Sequence, residues 1–142
     1  MIPLNPIGRQ EIHKLESILL FTTLFRKEVL ALIKDPSERL TWVDSLAVAS
    51  GAIAREKAGM RITEIAEELG RTEQTIRKHL KGESKAGQLV KETYDLIKSG
   101  KINDIQVDFS MLIEENNKLK EENIRLKNLL KEIYNKIDEI LD

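Results

Sequence analysis

The chain has 142 residues and a formal net charge of −1; 41% of its residues are hydrophobic, 33% charged and 4% aromatic. Charge is well above the roughly 25% of an average domain and aromatics are scarce, which favours long solvated helices over a large enzyme core. The absence of cysteine excludes disulfide frameworks and thiolate metal sites, and two histidines would leave a zinc site dependent on carboxylates. With 3 Pro and 7 Gly there are too few turn residues for a sandwich or barrel, and no segment alternates as a strand would, so an all-α fold is expected. The longest apolar-dominated run, Ile18 to Phe25, falls far short of the roughly 20 residues that span a bilayer. The opening MIPLNPIGRQ lacks the charged and apolar regions of a signal peptide, so a cytoplasmic protein with no membrane partner is expected. Abundant Lys, Glu and Ile without Cys suit a thermophile.

In chain order, a short irregular leader ends near Asn5-Pro6 and Gly8. From Gln10 to about Lys34 the apolar residues Ile12, Leu15, Ile18, Leu19, Phe25, Val29, Leu32 and Ile33 recur at three- and four-residue steps, which predicts one helix. Leu20, Phe21, Leu24 and Leu30 widen its stripe, so more than one side is covered. Asp35-Pro36-Ser37 stops it. Thr41 is the expected N-cap of a second helix, with Asp44 echoing a capping box, running to about Lys57 and stopped by Gly59. Its small residues Ala47, Ala49, Ser50, Gly51, Ala52 and Ala54 permit close helix packing. Ser84 to Ser99 predicts a further helix with Leu89, Val90, Thr93, Leu96 and Ile97 inward, ended by Gly100. Residues 105–142 contain neither Pro nor Gly.

The informative stretch is Arg61 to Gly82, RITEIAEELGRTEQTIRKHLKG. Thr63 is the expected cap of a short helix, Glu64 to Leu69, with Ile65, Ala66 and Leu69 on one face. Gly70 follows, where a tight turn between crossing helices needs a residue that accepts positive φ. Thr72 caps a second helix, Glu73 to Lys81, with Ile76 and Leu80 inward, His79 partly so, and Ala66 at the crossing. Its outward positions are Glu73, Gln74, Arg77, Lys78 and Lys81. Net charge divides as +1 over residues 1–58, +1 over 59–104 and −3 over 105–142, but residues 70–85 hold five bases against two acids, so basic charge is concentrated here.

On Ile65-Ala66-Glu67-Glu68-Leu69-Gly70, Thr72, Thr75-Ile76 and Leu80, this segment resembles the helix-turn-helix of bacterial and archaeal transcription regulators, with the archaeal ones the nearer expectation. Thr75 to Leu80 also looks like the recognition helix of some site-specific recombinases. The resemblance covers about 22 residues and implies that the helix over 73–81 enters a DNA major groove. The family's base-reading positions fall on Thr72, Glu73, Gln74, Arg77 and Lys78. Arg71 stands where the family usually has an apolar residue, which implies a phosphate contact or an altered turn. The outward Lys81 lies at the helix end, where a phosphate contact is expected. Without DNA, the same pattern describes an ordinary helical hairpin with a solvated face.

Ile105, Leu112, Leu119, Leu126, Ile133 and Ile140 are spaced by seven, and with these as d the a positions are Phe109, Asn116, Asn123, Leu130 and Ile137. A helix of 38 residues, ~57 Å long, cannot hold one apolar stripe exposed to water and must pair. Asn at a favours two strands and fixes register at some cost in stability. In a parallel pair Glu115 meets Lys120 and Glu122 meets Lys127; an antiparallel pair would set like charges together. Each exposed pair is worth only ~0.2–1 kcal/mol, but four attractions against four repulsions favour the parallel homodimer. Beyond Lys127 the edges turn apolar at Leu129, Tyr134 and Leu141, a widened stripe suited to a third or fourth helix or to a cap. The alternative is a tail folded back on its own chain.

No phosphate-cradling glycine loop, catalytic constellation, metal-ligand spacing, cofactor motif or small-molecule site is evident, and a non-enzyme is expected. His13 and His79 fit surface or half-buried positions, and Trp42 fits the core. The expected organisation is an N-terminal helical segment over 1–40, a helix-turn-helix domain over 41–104 and a dimerisation helix over 105–142. Its seam is Leu112, Asn116, Leu119, Asn123, Leu126, Leu130, Ile133, Ile137 and Ile140. The expected function is a dimeric regulator of transcription that binds double-stranded DNA; the alternatives are a coiled-coil assembly protein or a DNA-binding accessory of a recombinase system.

Overall fold

Asp35-Pro36-Ser37 begins a helix as well as ending one. In the computed structural model, which describes residues 1–101 and 110–141 and, from 110 onward, side chains only from Ile113, the Asp35 carboxylate accepts from the Ser37 N–H at 3.0 Å and from its hydroxyl at 2.7 Å. Those two donors hold the Asp35 carboxyl below its ordinary pKa. Pro36 takes the first helical position, where its missing N–H costs nothing. The described residues are all-helical: α1 Gly8–Leu24, α2 Lys27–Ile33, α3 Pro36–Lys57, α4 Ile62–Leu69, α5 Glu73–Lys81, α6 Lys85–Lys98 and α7 Ser110–Leu141. Thr41 therefore lies inside α3 and caps nothing.

The single helix expected over 10–34 is broken at Phe25-Arg26. Arg26 is extended at ψ 140 and caps α2 with its carbonyl, which accepts from Val29 and Leu30. Its guanidinium is buried: it donates to the Leu89 carbonyl and the Thr93 hydroxyl, both at 3.1 Å, and pairs with Glu28 and Glu92. Satisfying that cation within the α6 packing requires the chain to turn, although the apolar period runs straight through.

The chain divides into two compact units, Met1–Asp108 and Phe109–Asp142. In the first, α3 is central and packs against α1, α2, α4, α5 and α6. Its small residues Ala49, Ser50, Gly51, Ala52 and Ala54 are all buried, allowing close approach on several sides. One core joins Leu15 and Leu19 of α1, Val29 of α2, Leu46 and Ile53 of α3, and Leu89, Val90 and Tyr94 of α6. A second, smaller core joins Val48 and Ala52 of α3 to Ile65, Ala66 and Ile76. The boundary expected at residue 40 thus falls within α3, and α1 and α2 share a core with α3 and α6. The boundary expected at 104 lies outside the described residues.

Arg55 of α3 ties α1 to α4. It is buried, donates from Nε to Glu68 at 2.7 Å, and bonds Glu16 and the Gly51 carbonyl. Burial works against its charge, but the hydrogen bonds and charges of Glu68 and Glu16 outweigh this and raise its pKa. Glu68 in turn is held below the usual carboxylate range, first by the Arg55 hydrogen bond.

The second unit is α7 alone. Its side chains from Ile113 onward are exposed, including Leu119, Leu126, Leu130, Ile133, Ile137 and Ile140 at 51–82%. Ile105 and Phe109, and the Leu112 side chain, lie outside the described residues.

Candidate functional site

The site is built on α4 and α5. Ile62 opens α4 one residue ahead of Thr63, so the cap expected of Thr63 is not made; its hydroxyl instead donates to Glu73 at 3.1 Å. Gly70, at φ 64, ends α4 in the left-handed region, where a β-branched side chain would be strained. The Arg71 N–H then reaches the Ala66 carbonyl and the Gly70 N–H that of Glu67, closing the helix end in a Schellman hook. The turn is regular despite Arg71. Thr72 caps α5, its hydroxyl accepting from the Thr75 N–H at 3.2 Å.

Ile65 and Ile76 are fully buried and Ala66 nearly so, which places the crossing of α4 and α5 on the second core. His79 is more deeply placed than the partly inward position expected, at 7% exposure. Its Nδ1 lies 2.6 Å from the Ser84 hydroxyl, which also accepts from the Gly87 N–H and so caps α6. The donor in this bond follows the imidazole tautomer, since the Ser84 hydroxyl has a proton to give and a second lone pair to accept with. Gly87 packs directly on the His79 backbone. The underside of α5 is thereby seated on α6 at one end and on α3 along its length.

Burial lowers the His79 pKa. The folded state then binds fewer protons than the unfolded chain, so this contribution is full above the unfolded value of roughly 6.5 and is lost as pH falls through the folded one. Wild type should lose thermal stability between pH 7 and pH 5, and His79→Gln should lose less over that interval; parallel melting curves against pH would refute the assignment.

All seven residues expected at the interface, Arg71, Thr72, Glu73, Gln74, Arg77, Lys78 and Lys81, lie on the turn and α5 and remain at least partly exposed. They are not equally free. Arg71 forms a forked pair with Asp44 of α3 at 2.9 and 3.2 Å and donates to the Leu69 and Gly70 carbonyls. Glu73 accepts from Thr63 and, at 3.3 Å, from Arg77 one turn on. Gln74, Lys78 and Lys81 form no side-chain hydrogen bond or ion pair with other described residues. The sequence reading missed Asp44 and Thr63 as anchors and Ser84 with Gly87 as the seat of α5. Only Gly87, a glycine inside a helix, leaves a local sign of close packing.

Among the described residues no cluster of His, Asp or Glu suits a metal ion, and no helix is long and apolar enough to cross a membrane. An uncharacterized protein of Methanocaldococcus jannaschii is 66% identical over 108 residues, a match that covers 76% of this chain. The matched part is 66% of that relative's length, just under two thirds. No family model matches the chain, and no solved structure matches it.

Proposed function

We propose that the chain is a dimeric, sequence-specific DNA-binding protein that regulates transcription. In this reading α4 and α5 form a helix-turn-helix, α5 enters the major groove, and α7 pairs with a second copy in a parallel coiled coil. The observation that carries it is the contrast between the two sides of α5: a back fixed by Ile76, His79 and Gly87, and a front offering Gln74, Arg77, Lys78 and Lys81 to solvent. A reader must be held rigidly while its long polar side chains stay available. The exposed heptad of α7, with Asn116 and Asn123 at a, supports pairing, and two joined readers gain affinity through effective concentration.

Arg77 must leave Glu73 to reach a base. That exposed pair, one helical turn apart, is worth ~0.3–0.5 kcal/mol, against ~1–3 kcal/mol for a guanidinium that bonds both acceptors of a guanine edge. The exchange is favourable. Arg71, held by Asp44, is better placed to fix the turn than to read a base.

The test is binding of Arg77→Ala and Lys81→Ala to selected and scrambled duplexes at several salt concentrations. Arg77→Ala should cost ~1–3 kcal/mol on the selected site and little on scrambled DNA. Lys81→Ala should weaken both alike and reduce the salt dependence by roughly one phosphate contact. Salt-independent or absent binding by the wild-type chain would overturn this reading in favour of an assembly protein.

A further inference from the structure

The seam of α7 changes character along its length. Over residues 115–127 it has Asn116 and Asn123 at a, Leu119 and Leu126 at d, and the edges Glu115, Lys120, Glu122 and Lys127. Leu at d with a polar a position and complementary charged edges specifies two strands. From Leu129 onward these features are reversed, except that Lys136 at g keeps a charged edge. The a positions become Leu130 and Ile137, and both d positions become Ile133 and Ile140. Ile at d, with Leu or Ile at a, shifts preference from two strands to three or four.

The edges change together with the seam. Leu129 at g and Tyr134 and Leu141 at e replace charges at three of the four edge positions, Lys136 at g being the fourth, and they are 48%, 71% and 79% exposed. A two-stranded seam covers a stripe of a and d residues only; apolar residues at g and e as well make a wider face that needs a broader partner. Lys131, Glu132, Asp138 and Glu139 bound this face on the far side of the helix, so the apolar surface is one-sided.

We infer that residues 129–141 join two coiled-coil pairs, so that the occupant of this face is a second pair of the same chain and the assembly contains four chains. The inference rests on the two-stranded reading of residues 115–127. Four follows from that segment: its Glu–Lys edges commit each chain to one partner, and a wide face shared between committed pairs joins pairs, whereas a third strand would disrupt those edges.

The experiment is sedimentation equilibrium of the full chain from nanomolar to tens of micromolar. The test variant combines Leu129→Glu, Ile133→Leu and Tyr134→Lys, which continues the upstream charge pattern and the Leu d position into the last heptads. Wild type should have the four-chain mass at micromolar concentration and fall to the two-chain mass on dilution. The variant should hold the two-chain mass throughout, with wild-type helix content by circular dichroism. Leu129→Glu alone, which removes one apolar edge residue per chain, should raise the four-to-two dissociation constant at least tenfold. A wild-type chain of two-chain mass at every concentration overturns the inference and leaves the dimer intact. A single-chain mass overturns both readings. A three-chain mass, or a four-chain mass kept by both variants, also overturns the inference.

Discussion

Gly87→Ala should destabilise the α4–α5 part of the first unit more than any exposed substitution on α5. A Cβ built there would lie 2.3 Å from the His79 carbonyl oxygen, 2.7 Å from its Cα and 2.8 Å from its carbonyl carbon, where ordinary contact begins near 3.4 Å. All three neighbours are backbone, so no side-chain rotation relieves the overlap. Either α6 moves away from α5 or the last turn of α5 is displaced, and both stretch the bond between His79 and Ser84. Overpacking costs typically ~1–3 kcal/mol, and a rigid backbone contact belongs at the top of that range. At roughly 4–8 °C per kcal/mol for a domain of this size, the melting temperature should fall by about 12–24 °C. A loss under ~1 kcal/mol by urea titration would mean that α6 does not press on the α5 backbone.

That contact also marks where sequence reading stops. The all-helical class is legible because helical periods, caps and glycine stops are local signals. Gly70 at φ 64, the Thr72 cap and the inward Ile65 and Ile76 follow from residues within a turn of one another. The break at Arg26 is not legible, because the groups that satisfy its guanidinium, Leu89 and Thr93, lie more than 60 residues away. Pro36 has two lawful readings, a stop for the helix before it and a first residue for the helix after it, and here it serves as both. Asp44 and Arg71 are 27 residues apart, so their pairing leaves no trace in spacing. The outward residues of α5 are legible as a set, but not which of them are tied down. That depends on Thr63 and Asp44, both outside the helix that presents the set.

Ile76→Ala should have the largest effect of all, for a reason of scale. The second core has five buried members, Val48, Ala52, Ile65, Ala66 and Ile76, and two of them are alanines. Ile76 is fully buried and is one of the two buried isoleucines that join the α4–α5 pair to α3. Truncating a buried isoleucine to alanine costs ~2–5 kcal/mol, part of it transfer and part the cavity left behind. The cost depends on how far neighbours can close the void: the buried Val48, Ala52, Ile65 and Ala66 are held in the packing, and the larger Met60, Ile62, Leu69 and Leu80 pack against the cluster only partly buried, so collapse will be partial. Ile76→Val, which removes one methyl group, should cost only ~0.5–1.5 kcal/mol. Because the main core does not include Ile76, the loss should be local: amide exchange in α4 and α5 should accelerate well before that in α1 or the middle of α3. Uniform acceleration across Met1–Asp108 would show that the two cores unfold as one unit. DNA affinity should fall with Ile76→Ala as well, but with a fraying helix as the cause, whereas Arg77→Ala should lose affinity with amide protection unchanged. Measuring exchange and binding on the same two variants separates the scaffold that holds α5 from the side chains that would read DNA.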